Sequence, residues 1–270
     1  MVNQLLDEEI ISEATKIVNE GEKRGVILRI LGALAIRMHS NGFESLHKKL
    51  GRLGEDTQGS FTDIDLIGYS SQRAGIRELM EKDFSFTISR QFLLLYGKER
   101  LVYYHPDNLY HVDIFFDKLS FSHVIQFGKK GNGRLELDSP TITPSDLLLE
   151  KLQIHQINEK DIKDIIVLLR GHDLGEDEED RINLRYISSI LGDDWGFWMD
   201  ASENLRKTMK YAEKYFEQSL ISQEDLNDLN NKCLKILDCL ERCPKTKNWE
   251  KRAKKGVKEK YWRDVEELYR

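Results

Sequence analysis

Apolar residues recur every three or four positions near the start of the chain and then occur in short unbroken runs. Leu6, Ile10, Ala14, Ile17 and Val18 follow the helical period, which predicts an amphipathic helix from about residue 4 to residue 20. The run 26–31 predicts a short buried strand, which leads through Gly32 and Ala33 into a second helix. Residues 41–60 are rich in glycine and polar residues and are therefore predicted to form a loop.

A second group of short apolar segments follows this loop. The pattern predicts a strand over 61–67, a helix over 72–82, and strands over 84–88, 100–104 and 110–116. Between the last two strands, His105-Pro106-Asp107-Asn108 has the composition of a turn. The first half of the chain is therefore predicted to be a sheet with accompanying helices.

Helical spacing dominates after about residue 143. Thr143, Pro144 and Asp146 supply a cap, a proline at the first helical position and an acid in the first turn. Later patterns predict helices over 200–220 and 222–240. We therefore predict an α+β chain, in which a mixed β-sheet flanked by helices (1–142) precedes a helical domain with a basic C-terminal tail (143–270).

Composition narrows the class of protein. The chain has 270 residues and a formal net charge of −6, which excludes a uniformly basic nucleic-acid coat protein. The chain has three cysteines, Cys233, Cys239 and Cys243, and an odd number in a long chain argues against a secreted disulfide framework. No apolar run is long enough to span a bilayer, and the N-terminus lacks the pattern of a signal peptide. We expect a soluble, cytoplasmic protein with no membrane partner.

The most informative chemistry lies in the strand that contains Asp63, Ile64 and Asp65. Two carboxylates separated by one residue on a strand lie on the same face and repel each other. A hard divalent cation such as Mg²⁺ relieves that repulsion, because it prefers carboxylate oxygens and keeps positions open for substrate phosphates. A solvated polar face on an edge strand is the simpler alternative.

Other positions could complete such a site. Backbone amides at Gly32 and Ala33 open a helix and could hold a phosphate, although a plain tight turn explains the same residues. Asp113 shares a strand face with His111 and could supply a third metal-binding carboxylate. Lys151 and Asp161 lie on later helical segments, where a solvated helix face with intrahelical ion pairs is the alternative.

Taken in order, these motifs resemble the DNA polymerase β-like nucleotidyltransferase superfamily. The closest resemblance is to its AbiEii-like branch, whose members are toxins of type IV toxin–antitoxin systems. The matching segments are Gly32-Ala33-Leu34-Ala35, Thr62-Asp63-Ile64-Asp65-Leu66, 146–151 and 160–164, with Asp113 as a third acid. Two departures are that Ala33 replaces the second Gly or Ser of the family turn and that Thr62 replaces Ser.

The resemblance implies a Mg²⁺-dependent enzyme that transfers a nucleoside monophosphate from an NTP to a hydroxyl of RNA, protein or a small molecule. Asp63, Asp65 and Asp113 would bind metal, and Asp113 could instead deprotonate the acceptor. Lys151 would neutralise a phosphate oxygen, and Asp161 would orient Lys151 or the acceptor. An antitoxin protein is an implied partner. Because Ala33 departs from the family turn, a non-catalytic module that binds a nucleotide or a protein partner is the second hypothesis.

Two charged segments and the histidines complete the sequence expectations. The tail 245–263 is basic with interleaved aromatic residues, and could contact a nucleic-acid acceptor or form a solvated terminal helix. The acidic segment 173–180 is predicted to be a solvated linker. The spacing of the histidines predicts no ligand set; those considered are His39, His47, His105, His123, His155 and His172.

Overall fold

A computed structural model describes residues 5–40, 42–53 and 59–264 of the chain. The chain divides into two compact units. Unit 1 comprises Met1–Met38, Leu53–Leu119 and Gln126–Ile142, whereas unit 2 comprises His39–Arg52, Ser120–Ile125 and Thr143–Arg270. Two short segments from the first half of the chain therefore belong to unit 2.

Unit 1 is built on a five-stranded mixed sheet in the order β1-β2-β5-β4-β3. Its strands are β1 (Leu28–Ile30), β2 (Asp63–Gly68), β3 (Thr87–Ile88), β4 (Arg100–Tyr104) and β5 (His111–Phe116). Within this sheet, β2 and β5 pair in parallel, and the other neighbouring strands are antiparallel. The predicted mixed sheet is confirmed, and its parallel pair joins the two strands that carry the candidate carboxylates.

The buried side chains of the central strands form the core of unit 1. Along β5, Val112, Ile114 and Phe116 are buried, and so are Ile64 and Leu66 of β2. Over the first four residues of each strand, apolar residues therefore alternate with polar ones, as expected where one face of a sheet lies on the core. The helices of unit 1 are α1 (Asp7–Lys23), α2 (Gly32–Met38), α4 (Arg73–Glu78) and α5 (Arg90–Tyr96).

The sequence pattern was wrong or incomplete in two places. The segment predicted as a loop over 41–60 contains helix α3 (Glu44–Lys49) of unit 2. Leu46 in this helix, Leu50 at its C-cap and Leu53, which begins the next part of unit 1, are each buried. This three-to-four-residue apolar period is obscured by the flanking glycines. The predicted strand over 84–88 is reduced to β3, and helix α5 after it was not predicted.

Unit 2 is mainly helical, as predicted. Helix α6 begins at Pro144 with the Thr143 side chain as its cap, and helix α10 begins with a capping box formed by Ser222 and Asp225. The helices after α6 (Pro144–Leu152) are α7 (Glu159–Gly171), α8 (Leu184–Leu191), α9 (Trp195–Glu217), α10 (Gln223–Arg242) and α11 (Lys247–Ala253). The remaining short strands are β6 (Lys118–Ser120), β7 (Val124–Gln126), β8 (Leu174–Gly175) and β9 (Ile182–Asn183). Among the described residues, none of the helices combines the length and the apolar composition needed to cross a bilayer.

Candidate functional site

The sheet of unit 1 aligns three of the predicted carboxylates on one face. Asp63 and Asp65 are two residues apart on β2 and therefore point to the same side. In the parallel register, Asp65 lies opposite Asp113 and Asp63 lies opposite His111. Residues opposite each other on neighbouring strands share a face, at a strand separation of about 5 Å. Asp113 is fully buried, whereas Asp63 and Asp65 are half-buried.

The turn between β1 and α2 lies against this carboxylate face. Gly32 has a φ of +73°, and a Cβ placed on it would lie 3.0 Å from Oδ2 of Asp65. The absence of a side chain therefore allows the turn to approach Asp65 closely. The main-chain N–H of Leu31 also donates to the carbonyl oxygen of Asp65 at 3.0 Å. Gly32 is thus required both for the backbone conformation and for the space beside Asp65.

A guanidinium also contacts this face. Arg100 on β4 forms an ion pair with Oδ2 of Asp113. The strand register explains the contact, because Val102 lies opposite Asp113 and Arg100 is two residues farther along the same face of β4. Arg100 was not among the residues selected from the sequence. An arginine on a strand has no distinctive local sequence pattern, and its contact with Asp113 depends on the pairing of β4 with β5.

Lys151 and Asp161, the other two predicted site residues, meet within unit 2. Nζ of Lys151 lies 3.0 Å from Oδ1 of Asp161 and 3.1 Å from Oδ2 of Asp164. Asp164 also accepts from Nε of Arg52 at 2.8 Å, and Nε2 of His47 lies 3.4 Å from the same carboxylate. We call these five residues the Lys151 network.

Burial and charge together shift the pKa values in the Lys151 network. Burial alone would lower the pKa of Lys151, but the carboxylates of Asp164 and Asp161 outweigh it and raise that pKa above its ordinary value. Burial alone would raise the pKa of Asp164, but Lys151, His47 and Arg52 hold it well below its ordinary value. Every charge in the buried centre of this network therefore has an opposite charge in contact.

The structure adds Asp164, His47 and Arg52 to the two residues found from the sequence. Asp164 was visible in the Lys-Asp-x-x-Asp segment, since residues three apart on a helix share a face. His47 and Arg52 come from the segment predicted as a loop, so no local signal linked them to α7. The ammonium of Lys151 is held by two carboxylates. Its predicted contact with a phosphate stays a prediction.

The aromatic residues of the predicted basic tail pack within unit 2. The ring of Trp262 stacks on His155 at a centroid distance of 3.7 Å, and the Tyr261 hydroxyl donates to Asp200 at 3.2 Å. Trp249 of α11 contacts Trp198 of α9 at 5.3 Å between ring centroids. These rings contribute to internal packing, and contact of the tail with nucleic acid stays a prediction.

Comparisons with known proteins give little further information. No protein-family model matches the chain, and no curated protein matches it. Among solved structures, the chain is similar to the crystal structure of an antigenic nucleotidyltransferase-like protein from Paracoccidioides brasiliensis. The two share 13% sequence identity over 90% of this chain and 96% of that chain, with a TM-score of 0.40.

Proposed function

We propose that the protein is a Mg²⁺-dependent nucleotidyltransferase that transfers a nucleoside monophosphate from an NTP to an acceptor hydroxyl. The observation that carries this proposal is the alignment of Asp63, Asp65 and Asp113 on one face of the β2–β5 pair. The Gly32 turn beside Asp65 supports it, because it brings the backbone close to the carboxylates.

The donor set fits a hard divalent cation. Three carboxylates on one sheet face offer only oxygen ligands, which Mg²⁺ prefers, and their mutual repulsion is relieved by a cation. Asp63 and Asp65 would hold the ion, with Asp113 as a further ligand. When bound, Mg²⁺ would supply the positive charge that binds the nucleotide phosphates and offsets the charge of the departing pyrophosphate.

The residues of the chain have separate tasks in this proposal. The acceptor oxygen forms a bond to the α-phosphorus, the bond from that phosphorus to the bridging oxygen breaks, and pyrophosphate leaves. The proton of the acceptor hydroxyl passes to a carboxylate, and Asp113 is the candidate for this role if it does not bind the ion. The guanidinium of Arg100 holds the Asp113 carboxylate in a fixed orientation on the face. The Thr62 hydroxyl donates to Oδ1 of Asp63 at 2.9 Å and orients that side chain.

Transfer of label from [α-³²P]NTPs tests the proposal. The protein is incubated with each NTP, Mg²⁺ and separate pools of RNA, protein and small hydroxyl compounds, and label in the acceptor is measured. We expect transfer that requires Mg²⁺ and falls by about 10³-fold in Asp63→Asn and Asp65→Asn, corresponding to about 4 kcal/mol of lost transition-state stabilisation. Asp107→Asn, an exposed acid in the turn before β5, is the matched control. Equal transfer by the wild type and both variants would contradict the proposal.

The motif resemblance also motivates a physiological proposal, that the protein acts as a toxin neutralised by an antitoxin. Expression of the wild-type chain from an inducible promoter should then arrest bacterial growth, whereas the Asp63→Asn variant should not. Growth arrest of equal strength with both chains would contradict a toxic role that depends on nucleotidyl transfer.

Arg100 favours a second candidate function, that of a non-catalytic nucleotide-binding module. Its guanidinium already provides a positive charge at Asp113, where a metal would otherwise be needed. A fluorescent NTP should then bind equally well with Mg²⁺ or with EDTA, and no label should be transferred. Binding that requires Mg²⁺ would exclude this alternative.

A further inference from the structure

Two histidines and an aspartate of unit 2 form a cluster that the sequence pattern did not indicate. His39 begins the segment His39–Arg52, His172 follows the last residue of α7, and Asp180 lies in the loop between β8 and β9. One potential ligand atom from each of these side chains lies within 4.8 Å of the other two. Residues more than 130 positions apart in the sequence are thus brought together, which explains why their spacing gave no signal.

A backbone contact fixes the tautomer of His172. Its Nδ1 lies 2.9 Å from the carbonyl oxygen of Leu168, which can only accept a hydrogen bond, so Nδ1 carries the proton. In the neutral ring, Nε2 then presents its lone pair, and this atom lies 3.4 Å from Oδ1 of Asp180. A lone pair facing a carboxylate is unfavourable unless a proton or a metal ion lies between them. Metal-binding histidines commonly make this same backbone contact through their second nitrogen.

The distance between His172 and Asp180 matches that between two ligands of a tetrahedral ion. Two atoms each bound at the usual Zn–N and Zn–O distances lie about 3.3 Å apart across a tetrahedral angle. The separation of His172 Nε2 and Asp180 Oδ1 is 3.4 Å, and that of His39 Nδ1 and Asp180 Oδ1 is 3.9 Å. The first pair already has this spacing, and the second requires a shift of a few tenths of an ångström.

Exposure and charge also suit a cation. His172 is 4% exposed and His39 is mostly buried, whereas the Asp180 side chain is 81% exposed. The rings are therefore held in place, and the carboxylate lies on the solvent side, where an ion can enter. The surrounding loop is rich in acids, which raises the local concentration of cations.

We propose that His39, His172 and Asp180 form a binding site for a divalent transition-metal ion of the Zn²⁺ class. Two imidazole nitrogens and one carboxylate suit Zn²⁺ better than Mg²⁺, which prefers oxygen ligands alone. Three protein ligands leave a fourth position for water or another ligand. The bound ion would connect the acidic loop to the end of α7 and fix its conformation.

Isothermal titration with ZnCl₂ on the full chain tests this site. With Asp63→Asn and Asp65→Asn present, which removes the proposed cation site of unit 1, we expect one Zn²⁺ equivalent to bind and Mg²⁺ at the same concentrations not to displace it. His172→Gln and Asp180→Asn should each weaken Zn²⁺ binding at least tenfold. Glu179→Gln, which changes the neighbouring exposed acid, should leave the affinity unchanged. Circular dichroism of each variant confirms that it is folded.

Co²⁺ substitution provides an independent readout of the ligand set. Visible absorption typical of tetrahedral Co²⁺ should develop in the wild type and in Asp63→Asn, since Asp63 belongs to unit 1, and be lost in His39→Gln. Failure of the folded wild type to bind Zn²⁺ at 100 μM would overturn the proposal. Equal binding by the wild type and the His172→Gln variant would overturn it as well. Because the site lies within unit 2, its failure would leave the proposed nucleotidyl transfer untouched.

Discussion

The carboxylate face of unit 1 and the Lys151 network of unit 2 use similar residues in opposite ways. In the network, Lys151 and Arg52 contact Asp164, and Lys151 also contacts Asp161, so that buried charges of both signs are matched within the protein. On the sheet, the strand register places three carboxylates side by side. Arg100 pairs with Asp113 at the fully buried end of this row, and Asp63 and Asp65 lie in the half-buried part.

This difference distinguishes a structural arrangement from a candidate catalytic one. In a buried network with balanced charges, each charged group depends on an oppositely charged partner. The fold therefore loses stability when one of these groups is removed. Like-charged carboxylates on one face repel one another, and a bound cation relieves that repulsion, so such a row is suited to binding a cation. Removing a carboxylate should consequently cost much more stability in the Lys151 network than on the carboxylate face.

Asp164→Asn should have the largest effect on stability. The substitution leaves the buried ammonium of Lys151 and the guanidinium of Arg52 without their shared anion, and we expect the free energy of unfolding to fall by about 3–5 kcal/mol. Urea denaturation followed by circular dichroism measures the change. Asp65→Asn in unit 1 should lose less than a third of that amount; an equal loss in the two variants would remove the contrast between the regions.

The stability lost in Asp164→Asn should depend on pH. The cationic partners hold the pKa of Asp164 below its ordinary value despite burial. Because the pKa is lower in the folded than in the unfolded state, the pairing stabilises the fold above about pH 4, and this stabilisation is lost as the pH falls through the folded-state value. The difference in unfolding free energy between wild type and Asp164→Asn should therefore narrow below about pH 4. A constant difference between pH 7 and pH 3 would contradict the assigned ion pairs.

Gly32→Ala should have a smaller effect on stability but a specific one on the carboxylate face. An alanine at positive φ costs about 1–2 kcal/mol, and its Cβ would also lie 3.0 Å from Oδ2 of Asp65. Gly25→Ala is the matched control, since Gly25 has a φ of +68° and no atom lies within 4 Å of an added Cβ. Both variants should lose similar stability in urea, but only Gly32→Ala should lose Mg²⁺-dependent nucleotide binding. Loss of Mg²⁺-dependent nucleotide binding in both variants would contradict a specific role for the Gly32 turn.

Asp161→Asn should have the smallest effect. Asp161 is partly exposed, and Lys151 retains Asp164 as a partner, so we expect the unfolding free energy to fall by about 1 kcal/mol or less. If Asp161 orients an acceptor as the motif predicts, nucleotidyl transfer should fall much more than stability does. If nucleotidyl transfer and stability fall by the same small amount, Asp161 belongs to the Lys151 network alone.

The sequence was informative where a function depends on residues close together in the chain. Asp63 and Asp65 were found because the strand period places them on one face, and Thr143 and Pro144 marked the start of α6 within one residue. Asp113 was selected as a carboxylate on a neighbouring strand, and the register of β2 with β5 places it opposite Asp65.

The remaining contacts could not be read from local patterns. Arg100 reaches Asp113 through the pairing of β4 with β5, and Arg52 reaches Asp164 from a segment whose helix was hidden by glycines. His39 and His172 lie within ring contact although their sequence positions are unrelated. Such contacts depend on tertiary packing, which the hydrophobic period of a single segment does not specify.

Titration of the full chain with Mn²⁺, followed by electron paramagnetic resonance, tests most directly whether the carboxylate face is a cation site. The titration is carried out in the His172→Gln background, so that binding to the proposed histidine site does not contribute. We predict that Mn²⁺ binds this protein, that binding is lost when Asp63→Asn and Asp65→Asn are added, and that it is retained when Asp107→Asn is added instead. Equal Mn²⁺ binding with and without Asp63 and Asp65 would contradict the account.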